Sequence, residues 1–404
     1  LLGASPRSAG LAQADAASKE PASAAMINPT AAAADELNAS VSYGVGAPRL
    51  RLRGDLVDLP TIRGVTFGLQ RGARFALGGL PIGLALGGYV PDQGLTRVLF
   101  RPAHEPVFVR HEVSAAKATF DAVGAIGGRL RVAGGVSIGA STEGRGAELT
   151  LAQGDRGVHS DGALDLAVVY RFAPIFALSY SAPGLDVAAR LRGARSFRAA
   201  LDAATTVALR DNPLSGTTRV QLRGDAGYDP LQVDVGFAQR LPALRRWGGQ
   251  LFLAIRYERW SAAPSPVATA AVDLDLVLRP FERAETFAPP PLADTISPRI
   301  GVELTSPGGA LLLRGGYAFV PSPLDVARGY LTPVFLAYHE VSLGAGLALQ
   351  PLLGLPRPLT LDLALGAQLS PEQRFRKEDL TLPWATYTLG GALPRAALGF
   401  SAML

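Results

Sequence analysis

Leu359-Thr360-Leu361-Asp362-Leu363-Ala364-Leu365-Gly366-Ala367-Gln368-Leu369 is the most regular stretch of this 404-residue chain. Leu359, Leu361, Leu363, Leu365 and Leu369 share one parity, and Thr360, Asp362, Gly366 and Gln368 share the other. Successive side chains of an extended strand point to opposite faces. The spacing therefore predicts a strand with one apolar face and one small or polar face. The same alternation recurs along the chain. Val341, Leu343, Leu347 and Leu349 oppose Ser342, Gly344, Gly346 and Gln350. Ile296, Ile300, Val302 and Leu304 oppose Ser297, Arg299, Glu303 and Thr305. Leu251, Leu253, Ile255 and Tyr257 oppose Gln250, Arg256 and Glu258. Leu231, Val233, Val235 and Phe237 oppose Gln232 and Asp234, and Leu164, Leu166, Val168 and Tyr170 oppose Asp165 and Arg171.

Two folds accept such strands. In a β-sandwich the apolar face meets a core and the charged face meets water. In a membrane barrel the apolar face meets lipid and the charged face lines the lumen. Periodicity does not separate them, but composition and connections do. The chain is 48% hydrophobic and 18% charged, with a mean hydropathy of +0.21. A helical membrane protein of this apolarity needs runs of about 20 apolar residues. The best uncharged run, Phe75 to Val90, carries Gly78, Gly79, Pro81, Gly83, Gly87 and Gly88 and makes a poor membrane helix. With 46 Gly and 31 Pro, the apolar residues come in short, punctuated pieces. The connections alternate between short and long, as barrel turns do on the two sides of an outer membrane. Short turns are expected near Arg71-Gly72, Gly127-Gly128-Arg129, Phe172-Ala173-Pro174 and Ser306-Pro307-Gly308-Gly309, and long loops over 91–106, 190–229, 261–294, 321–337 and 371–383. The expectation is an all-β fold: a transmembrane antiparallel β-barrel of about 14 strands, formed by residues 37–404.

Residues 1–36 are rich in Ala, Ser and Asp and lack period-2 alternation. They are expected to fold into the lumen as a plug. The chain opens Leu1-Leu2-Gly3-Ala4-Ser5 without a basic n-region, so a secretory signal is expected outside this numbering. Phe75 and Leu77 sit in odd phase while Ile82, Leu84 and Leu86 sit in even phase. That flip predicts a bulge or kink, because one extra residue exchanges the faces. Pro91 follows, and proline cannot donate to a ladder, so a gap in the wall is expected near it.

The net charge of +5 is modest, and Lys occurs only at Lys19, Lys117 and Lys377. The arginines are spread through strands and turns, which argues against nucleic acid as a partner; the pI of about 9.6 suits anionic lipid headgroups. Cysteine is absent, which excludes disulfides and thiolate metal sites. His104, His111, His159 and His339 have no metal-ligand spacing, and no phosphate-binding loop is present. No metal, cofactor or catalytic residue is therefore expected. Gly135-Val136-Ser137-Ile138-Gly139 matches a nucleophile elbow, but it lies in an alternating strand rather than a strand-turn-helix. Ala288-Pro289-Pro290-Pro291 reads as an extended spacer. The lumen-side charges Arg256, Arg299 and Arg314 with Asp234, Glu258, Glu303 and Asp362 admit two roles. They form a structural ion-pair lattice, or one arginine holds a carboxylate by its bidentate geometry.

Four pieces, in order, resemble the FadL family of outer-membrane transporters for long-chain fatty acids and aromatic hydrocarbons. They are Ser8-Ala9-Gly10-Leu11-Ala12-Gln13-Ala14 followed by Asn28-Pro29-Thr30; Tyr257-Glu258-Arg259-Trp260-Ser261; Leu313-Arg314-Gly315-Gly316-Tyr317 running to Pro321-Ser322-Pro323; and His339-Glu340-Val341-Ser342-Leu343-Gly344-Ala345-Gly346. Thr30 stands where the family has alanine, and the final residue is Leu404 rather than an aromatic. The loop at Gln153 to Asp161 is short against the family's outer groove.

The resemblance implies a 14-stranded barrel with residues 1–36 as a hatch and Asn28, Pro29 and Thr30 at its ligand-facing tip. It also implies a hydrophobic ligand, most simply a fatty acid, that leaves sideways through a kink at Tyr89, Pro91 and Gly94. The implied surroundings are those of a bacterial outer membrane, with its lipid and lipopolysaccharide. An accessory barrel docking a protein partner in a surface assembly is the alternative reading.

Overall fold

The structure is a computed structural model that describes residues 5–20, 23–57, 59, 61–74, 80–92, 118–154, 157–208, 216–244, 246–265, 268–276, 281–286, 289, 291–324, 335–377 and 385–404. Its strand segments join into a closed, antiparallel barrel of 14 strands. Leu37–Gly46 pairs with Ile62–Arg74 on one edge and with Thr386–Met403 on the other, so the first and last strands seal the wall. Between them the wall runs through Pro81–Pro91, Ala118–Gly127, Leu130–Gly154 and Gly157–Ala182. It continues through Leu185–Arg192, Leu231–Leu244, Trp247–Arg259 and Thr295–Thr305. Leu311–Val320, Tyr338–Ala348 and Leu359–Arg376 complete the circuit. Closure matters because an open sheet edge in hydrocarbon would leave a row of backbone groups without partners.

The burial pattern settles which face is which. Leu363, Leu365 and Leu369 are 43%, 55% and 46% exposed, whereas Asp362 and Gln368 are each 5% exposed. Apolar side chains point out and polar ones point in, the reverse of a water-soluble sheet. The inversion holds around the wall: Val341, Leu343, Ile296, Ile300, Leu253, Ile255 and Phe237 are exposed, while Ser342, Ser297, Arg299, Glu303 and Asp234 are buried. This is the lipid-facing exterior and polar interior of a transmembrane barrel. On the outside, Tyr317 stacks on His339 with its hydroxyl 2.8 Å from Nδ1, and Tyr257 donates to Asp294 at 2.6 Å.

Several expected connections fall elsewhere. Gly127 to Leu130 and Ser306 to Leu311 are tight turns as expected. Arg71-Gly72 and Phe172-Ala173-Pro174 are not turns; they lie inside Ile62–Arg74 and Gly157–Ala182. The outward phase runs unbroken from Val168, Tyr170 and Phe172 past Pro174 to Phe176, Leu178 and Tyr180. Pro174 still pairs with Val136, and its carbonyl accepts from the Gly193 amide at 2.9 Å.

The spans 190–229 and 261–294 are not loops either: they contain Arg195–Ala208, Gly216–Asp229, Thr269–Leu276 and Phe281–Thr286. Beyond the membrane a strand has no lipid face to keep apolar, so these extensions lose the alternation that marks strands. Near Gln153 the chain turns tightly, but Leu130–Gly154 and Gly157–Ala182 form a hairpin of 25- and 26-residue strands. That is more than twice the roughly 9–11 residues a tilted strand needs to span hydrocarbon. Its far part pairs in parallel with Ala203 to Ala208. The short connection thus caps a long projection rather than a minimal loop.

The phase flip between Leu77 and Ile82 coincides with a strand boundary. Ile62–Arg74 ends there and Pro81–Pro91 begins. Pro81–Pro91 itself carries no bulge; it pairs in constant register with Ile62–Arg74 from Pro81 to Pro91.

Residues of the N-terminal segment lie against the inner wall. Ser5 caps the short helix Pro6–Gly10, accepting from the Ser8 amide at 3.2 Å, and Asn28 caps the 3-10 turn Pro29–Ala32. Small residues make close packing possible. Ala24, Ala25, Ala31, Ala32 and Ala33 pack on Ala85, Val123, Ala125, Ala133, Ile175 and Ala177. Leu11, Ala14 and Ala17 pack on Ala188, Ala238 and Phe252. At two wall positions the contact is backbone to backbone. A Cβ on Gly83 would fall 1.7 Å from the Ala32 carbonyl oxygen, and one on Gly316 would fall 2.2 Å from the Leu11 carbonyl carbon. Gly316→Val is therefore expected to lift the N-terminal segment off the wall without opening the barrel, at a cost of about 1–3 kcal/mol. Limited proteolysis should then cut within residues 5–36 while the unheated gel mobility stays that of a folded barrel. Unchanged protease resistance would contradict the packing.

Candidate functional site: the lumen lattice

The lumen charges form a connected lattice that spans wall and N-terminal segment. Arg7, on the Pro6–Gly10 helix, donates to both oxygens of Glu303 at 2.9 and 3.0 Å and to Ser18 Oγ at 2.6 Å. Glu303 also accepts from Arg314 Nε at 2.7 Å, and Arg314 continues to Asp362. Four strand-borne or helix-borne charges thus run in the order plus, minus, plus, minus, each almost closed to solvent. Such a chain meets the rule that a buried charge needs both a counter-charge and hydrogen bonds. Ser342 Oγ adds a bond to the Gly10 carbonyl at 3.0 Å.

A second knot centres on Asp234. It accepts from Arg256 Nε at 2.6 Å, from Arg190 Nη2 at 2.6 Å and from Gln232 Nε2 at 2.7 Å. Arg190 also reaches the Met26 carbonyl. A third pairs Glu340 with Arg395 and with Gln368 at 3.2 Å.

Of the three arginines proposed from sequence, Arg256 and Arg314 are held by carboxylates. Arg299 is not. Its Nη1 donates to the Ala12 carbonyl at 3.1 Å and to Gln13 Oε1 at 3.2 Å, and its buried Nε has no partner. On the same inward face of Thr295–Thr305, the buried hydroxyls of Ser297 and Thr295 also lack partners. Three polar groups at successive inward positions are thus left unsatisfied, where each costs about 1–3 kcal/mol if nothing binds it. Groups of this kind in a native fold call for an explanation.

Gln13 was not singled out by its sequence. Its Oε1 lies 3.2 Å from Arg299 Nη1 and 3.4 Å from Arg256 Nη1, so one neutral amide oxygen faces two guanidiniums. Ala12 and Gln13 both have left-handed backbone, at φ 49° and 58°. Such angles cost non-glycine residues free energy and persist only where surroundings impose them. Here the imposing contacts are the Arg299 bond to the Ala12 carbonyl and the close approach of Leu11 to Gly316. Nothing in composition or periodicity signals a strained apex of this kind.

Asn28, Pro29 and Thr30 are buried. Asn28 Nδ2 donates to the Ser18 carbonyl at 2.8 Å. The Thr30 hydroxyl donates to Asn28 Oδ1 at 2.8 Å and lies 2.7 Å from the Ser179 hydroxyl of the wall. They tie the N-terminal segment to Gly157–Ala182 and are far along the chain from the Arg299 row. A cavity between the segment and the seam of the first and last strands is lined by Arg7, Glu20, Met26, Ser40, Asp362 and Phe400, a mixed lining rather than a purely apolar one.

At the expected exit, Tyr89 is buried and donates to the Arg63 carbonyl at 3.1 Å. Tyr89 is the last residue of its strand paired with Ala118–Gly127, through Thr119. Val90 and Pro91 pair with Ile62–Arg74 alone among the described residues. Gly94 lies outside the described residues. Met26 abuts this strand, 2.9 Å from where a Gly87 Cβ would stand. Ser137 of the elbow-like pattern sits mid-strand, fully buried, accepting from Arg195 at 3.0 Å. Among the described residues no cluster of potential metal ligands occurs.

No protein-family model and no curated protein matches the sequence. Solved structures do match over the whole length. A Pseudomonas aeruginosa FadL homologue superposes with a TM-score of 0.60 at 13% identity, covering 99% of this chain and 97% of its own. The P. putida toluene transporter TodX gives 0.57 at 14%, covering 100% and 99%. The monoaromatic hydrocarbon channel CymD gives 0.55 at 12%, covering 100% and 98%. With so little identity the likeness lies in backbone path, and it runs from the N-terminal segment through the last strand. The chain has the fold of the FadL homologue and of these hydrocarbon channels.

Proposed function

We propose that this chain is a bacterial outer-membrane channel that passes a long-chain fatty acid, with residues 1–36 as its hatch and residues 37–404 as its barrel. The tight turns would face the periplasm and the long hairpins the exterior, as in outer-membrane barrels generally. The observation that carries the fatty-acid reading is the unsatisfied row Thr295, Ser297 and Arg299 beside Gln13. A carboxylate placed there would accept from Arg299 Nε and from the neighbouring Ser297 hydroxyl, and it would meet the two guanidiniums that Gln13 now bridges. An uncharged aromatic would leave the same groups unpaired. The names of the structural neighbours TodX and CymD favour the second reading, a monoaromatic hydrocarbon.

The two readings part on one residue. Arg299→Gln should weaken oleate binding about 10- to 100-fold, the worth of a hydrogen bond to a charged group, and leave toluene binding unchanged. Gln13→Glu supplies the chain's own carboxylate between the guanidiniums and should weaken oleate binding as well. Equal effects on oleate and toluene, or none on either, would remove the headgroup assignment.

For the exit, the reading is lateral: ligand leaves the hatch side and passes the wall where the rung at Tyr89 and Thr119 is the last among the described residues. It is supported by the missing donor of Pro91 and by Met26 standing against the strand at Gly87. The chain has no native cysteine, so Tyr89→Cys with Thr119→Cys would form a unique staple. Oxidation should stop uptake of labelled oleate into cells, and reduction should restore it. Uptake by the oxidised form at the reduced rate would place the route elsewhere.

A further inference from the structure

Above the lipid-facing belt, the outside of the wall changes character at the seam of the first and last strands. Along the first strand the outward parity runs Val41 and Tyr43 and then, after the break at Ala47-Pro48, Arg49 and Arg51, while Leu50 and Leu52 turn inward and are buried. Along Leu359–Arg376 the outward leucines end at Leu369. A register shift between Ser370 and Gln373 then exchanges the faces. Beyond it Arg374 and Arg376 point out, and Phe375 and Lys377 are buried.

These arginines converge on one patch because the strand between them presents only small residues on that face, Thr386, Thr388, Gly390 and Ala392. Arg51 is register partner to Gly390, the Arg53 amide donates to the Thr388 carbonyl at 3.0 Å, and Arg374 is register partner to Thr388. Two strand spacings, about 10 Å, separate the backbones of Arg53 and Arg374, well within the joint reach of two arginine side chains. Among the described residues, the exposed acids beside them are Asp55 and Glu372. Arg49, Arg51, Arg374 and Arg376 make no ion pair with a described residue. Arg51 also faces Leu56 across the hairpin, and Leu56 is 68% exposed.

A face that combines exposed guanidiniums with an exposed leucine suits the boundary between headgroups and acyl chains. Arg374 follows Leu369 by about five residues, which on a strand tilted by roughly 45° is about 12 Å of height. That is headgroup level, one step outside the belt. Guanidinium binds phosphate bidentately and is more weakly hydrated than ammonium.

We propose that Arg49, Arg51, Arg53, Arg374 and Arg376 form a binding site for the phosphate groups of the outer-leaflet glycolipid, lipopolysaccharide. The inference rests on the outer-membrane reading given above. A bound glycolipid would brace the seam where the barrel closes and where the hairpin Arg49–Leu52 with Asp55–Val57 leaves the wall.

The test uses the full chain purified in neutral detergent, titrated with bisphosphorylated lipid A, with dephosphorylated lipid A and with inorganic phosphate, and read by native mass spectrometry. The wild type should retain bisphosphorylated lipid A. Arg51→Ser, Arg374→Ser and Arg376→Ser together should bind it about a hundredfold more weakly, with folding checked by unheated gel mobility. Should the triple variant not fold, Arg51→Ser and Arg374→Ser singly, both exposed positions, should each show a part of that loss. Undiminished binding by the folded variants, equal retention of dephosphorylated lipid A, or full competition by inorganic phosphate at equal concentration would overturn the proposal. Recovery of the expressed chain in the outer-membrane fraction is scored separately, so failure of the membrane reading is distinguishable from failure of the site.

Discussion

A strand in hydrocarbon must pair every backbone amide and carbonyl with another strand, because no water is present to take them. Closure of Leu37–Gly46 onto Thr386–Met403 meets that demand, and much else in this molecule follows from it. Once the sheet is closed, each strand has one face toward lipid and one toward the lumen, and alternate residues are committed to opposite solvents. The leucines of Leu359–Arg376 go outward, and Asp362 and Gln368 go inward. The lumen thereby collects polar side chains from around the wall, and the N-terminal segment packs against them there.

Residues that are forced inward must then be satisfied there. The N-terminal segment supplies many of the partners. Arg7 brings a second cation to Glu303, Gln13 and the Ala12 carbonyl occupy Arg299, and the Ala32 and Ala34 carbonyls accept from Gln70 at 2.8 and 3.1 Å. Glycine at wall positions such as Gly83 and Gly316 lets this segment come close enough to do so. Segment and wall are therefore mutually dependent. Breaking one buried pair would leave the other charge stranded, which costs far more than the pair contributes. The same logic draws attention to Thr295, Ser297 and Arg299, whose unsatisfied groups fall at successive inward positions of one strand.

Outside the hydrocarbon the constraint relaxes, and the pattern with it. The extended hairpins turn some apolar residues inward to make a small core of their own. Trp260 meets Phe335 and Tyr228 edge-on, and Phe375 stacks on Tyr387, alongside Leu50, Leu52 and Leu389. This core sits over the lumen mouth on the side of the long connections. It holds in place the hairpin strands that carry the outward arginines.

The strand faces, the barrel class and the lumenal placement of Arg256, Arg299 and Arg314 were legible in the chain, because a period of two and an absence of long apolar runs are local properties. The turns at Gly127 to Leu130 and Ser306 to Leu311 were legible for the same reason. Strand ends were not, since beyond the membrane no lipid face enforces alternation; Arg71-Gly72 and Phe172-Ala173-Pro174 looked like turns and are strand. The phase change before Ile82 was visible, but whether it marked a bulge or a strand boundary depended on pairing with Ile62–Arg74. Which arginine lacks a carboxylate, and that Gln13 stands between two of them, depended on residues some 240 to 290 positions apart meeting in the lumen. Sequence by itself assigned the alternating side chains of the membrane-spanning stretches to lipid or lumen. Only the closed barrel, by bringing distant strands and the N-terminal segment into one small volume, decided which charges find partners and which remain to receive one.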